Sequence, residues 1–146
     1  MTTTHESFDW SQAQAALDAL HRYGWGYDAG DMQLLGSAFA EDATTGGVVS
    51  NSSSGWGPWT GRAQIVAGLD TIWHQQVDRR RHVITTPMFL SLSSERAVLK
   101  ALLSCYSILP GEQPVLATTG EYLVHLSRHD TLWQIDRLDA VLDGEF

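Results

Sequence analysis

The chain has 146 residues, 43% of them hydrophobic, which is enough to build one ordinary domain around a real core. A formal net charge of −8 excludes sequence-independent nucleic-acid binding, which needs basic surface to displace counterions from phosphates, and the cluster Arg79 to Arg81 is too short to reverse that. No apolar run approaches the roughly 18 residues of a membrane span, and MTTTHESFDW has neither the basic segment nor the apolar stretch of a secretory signal, so the expectation is a cytoplasmic protein with no membrane partner.

The first element opens at Asp9, with Gln12 three residues later in capping-box fashion, and continues as WSQAQAALDALHRYGWGYDAGD. Trp10, Ala13, Leu17, Leu20, Gly24 and Tyr27 recur in register along one face, the pattern of an amphipathic helix. Gly30 is placed to stop it and Asp31 to cap a second, short helix through MQLLGSAF. After AEDATTGGVV comes SNSSSGWGPWTG, which fits neither helical nor strand periodicity and reads as a long loop between Val49 and Arg62. A third helix follows in RAQIVAGLDTIWHQQ, with Ile65, Leu69, Ile72 and Trp73 as its apolar face. From His82 the character changes to strands: HVITTPMFLSL, RAVLKALLSCYSIL, PVLATTGEYLVHLS and LWQIDRLDAVL, joined by short polar connections that favour antiparallel pairing. The expected architecture is α+β, one domain over residues 1–146, with a curved, mostly antiparallel sheet wrapped around N-terminal helices.

Side chains two apart share a strand face, so His82, Ile84 and Thr86 point one way and Val83 and Thr85 the other. His82 is then either a solvated strand end or a group facing the covered side with Ile84. Asp28 follows Leu17 by eleven residues, just over three turns, and Tyr27 follows Leu20 by seven, so a persistent helix offers a phenol and a carboxylate to the interior. The alternative for Asp28 is a backbone cap in the DAGD turn. On the third strand, Thr119, Glu121, Leu123 and His125 share one face and Thr118, Tyr122 and Val124 the other, and either face could line a pocket. Trp56 and Trp59 in the long loop read equally as an aromatic mouth for a planar ligand or as loop packing on the core. The single Cys105 lies in an apolar run and reads as a small core residue. His125 and His129 flank a strand end, where four-residue spacing does not bring two ligands together, and no other pattern suggests a metal. Phosphate-cradling glycine motifs and a Gly-x-Ser-x-Gly turn are absent, which leaves chemistry without a cofactor.

The order of elements, with RYGWGYDAGDMQLLGSAFAEDA, GRAQIVAGL, RHVIT, TGEY and LWQIDRL in their places, resembles the nuclear transport factor two-like superfamily. Within it the likeness is to the SnoaL-like and scytalone-dehydratase-like small enzymes, and it implies a cone-shaped α+β barrel. The resemblance further implies that Tyr27 and Asp28 match a tyrosine-aspartate pair and His82 a strand histidine, with the phenol polarising a carbonyl, the aspartate fixing the imidazole and the histidine moving protons. Substrate contacts would come from Trp56, Trp59, Trp73, Thr86, Glu121 and Tyr122. Thr86 stands where many SnoaL-like sequences have asparagine, and near Glu121 and Tyr122 the dehydratase has a second histidine that has no match here. The expectation is a cofactor-independent dehydratase, cyclase or isomerase for a small apolar carbonyl or polyketide-like compound, with no metal. Likeness also implies a homodimer or homotrimer paired through the exposed sheet face. The competing expectation is a non-catalytic binding or dimerisation module on the same cone.

Overall fold

The computed structural model describes residues 8–146. Residues 1–7, the part of the opening read above for a secretory signal, lie outside the described residues. Three helices, α1 (Trp10–Ala29), α2 (Met32–Ser37) and α3 (Arg62–Gln75), accompany six strands: β1 (Phe39–Val49), β2 (Gly55–Thr60), β3 (Arg79–Leu92), β4 (Arg96–Ile108), β5 (Val115–His129) and β6 (Leu132–Leu142). The strands form one sheet in the order β2-β1-β6-β5-β4-β3. Its pairings are antiparallel except for β1 with β6, which run parallel. The sheet is curved and unclosed, with β2 and β3 at its edges and the helices on its inner face.

Helix α1 forms where its caps place it. The Asp9 side chain accepts hydrogen bonds from the Ser11 and Gln12 amides, a cap worth about 1 kcal/mol. Gln12 does not return the bond as a capping box would; its Oε1 instead accepts from the buried indole of Trp133 on β6 at 3.1 Å. Gly30, at φ 68°, ends the helix in the left-handed conformation, and Asp31 caps α2 through the Leu34 amide. Arg22 then ties α1 to the rest of the fold, donating to the Ser37 and Trp133 carbonyls while pairing with Asp18. Ala16, Ala19, Leu20, Tyr23 and Tyr27 form the buried stripe of α1 against Leu99, Tyr122, Val124, Ile135 and Leu138 of the sheet. Each large side chain fully buried here contributes about 1.5–3 kcal/mol.

The sequence reading of a long loop between Val49 and Arg62 is corrected. AEDATTGGVV lies in β1 and GWGPWT is β2, an edge strand paired antiparallel to β1 with a register shift between Thr45 and Gly47. Glycine, proline and tryptophan hide the period-two pattern because edge strands tolerate proline and the shift breaks the alternation. Strand β3 also starts earlier than expected, at Arg79, so the arginine run is strand and not connector.

Candidate active site

The inner faces of β3, β4 and β5 meet the ends of α1 and α3 around a partly open cavity of about 80 Å³. One rung of the sheet, His82 opposite Cys105 opposite Thr118, crosses its wall. Tyr23 and Tyr27 from α1, Leu69 and Ile72 from α3, Trp56 from β2, and Leu103, Tyr122 and Leu142 from the sheet enclose most of the rest. Arg80 and Phe146 complete the lining.

Asp28 and His82 meet at this wall. His82 Nδ1 lies 2.6 Å from Asp28 Oδ1, and the His82 backbone amide donates to Asp28 Oδ2 at 2.8 Å, so both carboxylate oxygens serve one residue. The two side chains are only 11% and 9% exposed. A carboxylate acceptor fixes the tautomer with the proton on Nδ1, leaving the Nε2 lone pair for a ligand. Nε2 has no protein partner among the described residues, and every fully buried side-chain nitrogen or oxygen has one, so Nε2 borders open space. Helical periodicity carried to the end of α1 puts Asp28 inside, and strand alternation puts His82 inside with Ile84; the turn-capping alternative for Asp28 does not hold, because Asp31 is the cap.

Tyr27 stands edge-on to the His82 ring, with centroids 5.3 Å apart. Its hydroxyl donates to Gln76 Oε1 at 2.8 Å, and that amide is oriented by its own donation from Nε2 to the Asp78 carbonyl. The phenol proton is therefore engaged by the protein in this state. Burial pushes the Tyr27 phenol up to about 12, so the group is a neutral hydrogen-bonding phenol throughout the physiological range. Burial likewise pushes the Cys105 thiol up to about 11, which makes it a poor nucleophile and supports its reading as a small core residue.

Of the six expected substrate contacts, Trp56 and Tyr122 line the cavity and four do not. Trp59 lies over the α3 backbone at Gly68, where a Cβ would meet its ring. Trp73 follows Ile72 by one residue, a turn of about 100°, and faces Gly30 at the end of α1. Thr86 sits at φ 55° where the β3 register shifts between Thr85 and Met88, so the alternation from His82 fails and it is exposed. Glu121 is exposed because its neighbour Tyr122 takes the inner face. Arg80 escaped the sequence reading because that reading began β3 at His82; a strand begun at Arg79 places Arg80 two residues before His82 on the same face.

The chain belongs to the SnoaL-like domain family, which matches residues 11–139. None of the curated proteins is similar enough in sequence to match. Solved structures share the fold. A protein of unknown function with a cystatin-like fold from Nostoc punctiforme PCC 73102 has a TM-score of 0.80 at 14% identity, covering 94% of this chain and 95% of that one. A protein assigned as a scytalone dehydratase from Novosphingobium aromaticivorans DSM 12444 has a TM-score of 0.73 at 16% identity, covering 92% and 85%. A type 2 hexachlorocyclohexane dehydrochlorinase, LinA, has a TM-score of 0.74 at 16% identity, covering 92% and 86%. No helix among the described residues is long and apolar enough to cross a membrane.

Proposed function

We propose that the chain is a cofactor-independent acid/base enzyme, a dehydratase, cyclase or isomerase acting on a small, largely apolar carbonyl or polyketide-like compound. The observation that carries this reading is the 2.6 Å Asp28–His82 pair at the wall of an aromatic cavity. With Nδ1–H held by Asp28, Nε2 takes a proton from a carbon next to a carbonyl. The electron pair moves into the enolate, and the proton returns to a departing hydroxyl, to another carbon or to a ring-closure product. Tyr27 orients the imidazole edge-on and reaches a ligand oxygen by exchanging its Gln76 partner. The structural neighbours named as a dehydratase and a dehydrochlorinase point to eliminations of the same kind.

The test is exchange of solvent deuterium into enolisable aryl ketones, α-tetralone first, read by NMR. Replacing His82 by Gln is expected to cost about 10²–10⁴-fold in exchange rate, and Asp28→Asn to cost less while leaving the imidazole in the wrong tautomer. If His82→Gln exchanges these ketones as wild type does, the acid/base reading is wrong. The second reading, a non-catalytic binding module of the same fold, draws on the phenol already engaged by Gln76 and on the apolar walls. It predicts that ligand affinity survives His82→Gln and that no exchange occurs in either protein. Self-association as a homodimer or homotrimer through the outer sheet face belongs to this proposal as well.

A further inference from the structure

The inner cavity holds one side chain whose charge the acid/base pair does not use. Arg80 lines it from β3, with its side chain 17% exposed. Its Nε contacts Asp78 at 3.3 and 3.5 Å, long for a charge-assisted bond, which is ordinarily about 2.7–2.9 Å. Asp78 is itself shared, since Oδ2 accepts from Ser107 Oγ. The two terminal nitrogens of the guanidinium have no protein acceptor among the described residues. Phe146 lies against the guanidinium, with its ring centroid 4.5 Å from Cζ.

Among the described residues no aspartate or glutamate lines the cavity: Asp78, the carboxylate paired with Arg80, lies outside the lining, and the nearby Asp28 spends both oxygens on His82. A protein with net charge −8 thus places a half-satisfied guanidinium inside a chamber that, apart from His82, Cys105 and Thr118, is aromatic and aliphatic. The unpartnered terminal nitrogens of Arg80 are not fully buried and so border open space, and their planar fork matches a carboxylate with two parallel bonds. Arg80 and His82 are two residues apart on one strand face, about 6–7 Å along the chain. That span separates an anionic group from a reacting carbon on the same one- or two-ring compound.

We propose that Arg80 makes this cavity a carboxylate site: its substrates are planar carbonyl compounds bearing a carboxylate, which binds the Arg80 guanidinium and presents the enolisable carbon to His82. The anion site stands on Arg80 alone, whereas the placement of the reacting carbon rests on the acid/base reading of His82. Phe146 and Trp56 flank the ring system.

The experiment is calorimetric titration with naphthoate and with its neutral carboxamide, using the full chain and variants whose melting confirms that they fold. Wild type is expected to bind naphthoate about ten- to hundredfold tighter than the carboxamide, while Arg80→Gln removes the preference and leaves carboxamide affinity within about twofold. Arg80→Lys keeps the charge but not the fork and should retain only part of the preference. His82→Gln should keep it whole. The proposal is overturned if wild type binds the two compounds equally or binds neither, or if the preference survives Arg80→Gln or disappears in His82→Gln. Should the preference follow Arg80 while deuterium exchange is indifferent to His82, the acid/base reading fails and the anion site stands.

Discussion

Tyr27, Tyr23, Tyr122 and Cys105 give the site a measurable titration. Burial is the leading cause in each: it raises Cys105 to about 11 and Tyr27 to about 12, and holds Tyr23 and Tyr122 well above the ordinary phenol value. Their folded values exceed the 9.0 and 10.0 of an unperturbed thiol and phenol, so between those limits the unfolded chain loses protons that the native chain keeps. Stability from these groups is whole below about pH 9 and declines as pH rises through the folded values. Melting followed from neutral pH upward should therefore show Tm falling by on the order of 5 °C per pH unit while only the thiol of the unfolded chain ionises, and by roughly 15–20 °C per unit once the three phenols join it. The phenolate absorbance of three of the four tyrosines should appear only together with unfolding. Phenolate signal from these three in a chain that is still folded would show that the cavity wall is open to hydroxide. At this scale helix and strand periods left Asp28 and His82 with two readings each, and the resemblance favoured the inward ones; the structure brings the two side chains together. Arg80 stayed hidden because its position depends on where β3 begins, which a run of charged arginines with no apolar alternation does not announce.

Among the elements, the tryptophans are the informative case. The sequence reads Trp56 and Trp59 as an aromatic mouth or as loop packing and Trp73 as part of the apolar face of α3, with all three among the expected substrate contacts; each is seated over a glycine of another element: Gly47 on β1, Gly68 on α3 and Gly30 at the end of α1. Only Trp56 thereby reaches the cavity. No single-chain pattern links a tryptophan to a glycine nine or more residues away, so the edge strand β2 and the fates of these rings were not legible, whereas α1, α3 and the four later strands were. A Cβ at Gly47 would lie 2.1 Å from the Trp56 ring, and the ring is rigid, so either the indole or the β1–β2 pairing has to move. Gly47→Ala is expected to destabilise by about 1–3 kcal/mol and to weaken any cavity ligand. Because the cost arises from one clash, a urea-unfolding cycle should find Gly47→Ala with Trp56→Ala cheaper than the sum of the two singles by at least about 0.5 kcal/mol. Strict additivity would mean that the indole does not sit where this contact puts it.

For the whole molecule, the inner face of the sheet is covered by helices and the outer face is not. Val83, Leu102, Leu123 and Val141 project from it at 41%, 46%, 39% and 43% exposure. Register sets them in neighbouring rungs, Leu102–Glu121–Val141 and Lys100–Leu123–Asp139 across β4, β5 and β6, so apolar groups alternate with both signs of charge. A patch carrying both signs can meet a second copy of itself about a twofold axis with Lys100 of one protomer near an acidic residue of its partner, and a specific pairing needs about 800 Å² from each. Leu102 lies outside the monomer core, so Leu102→Glu should cost the monomer only about 0.2–1 kcal/mol, from a carboxylate set opposite Glu121, while placing an unpaired carboxylate at the centre of the pairing. Sedimentation velocity at micromolar concentration should then give a whole-number multiple of the 16.1 kDa chain for wild type and the single chain mass for Leu102→Glu. A wild-type protein sedimenting at the single-chain mass would leave this face as plain solvated sheet. An oligomer that withstands Leu102→Glu would place the contact elsewhere, with the unpaired edges β2 and β3 the next surfaces to alter.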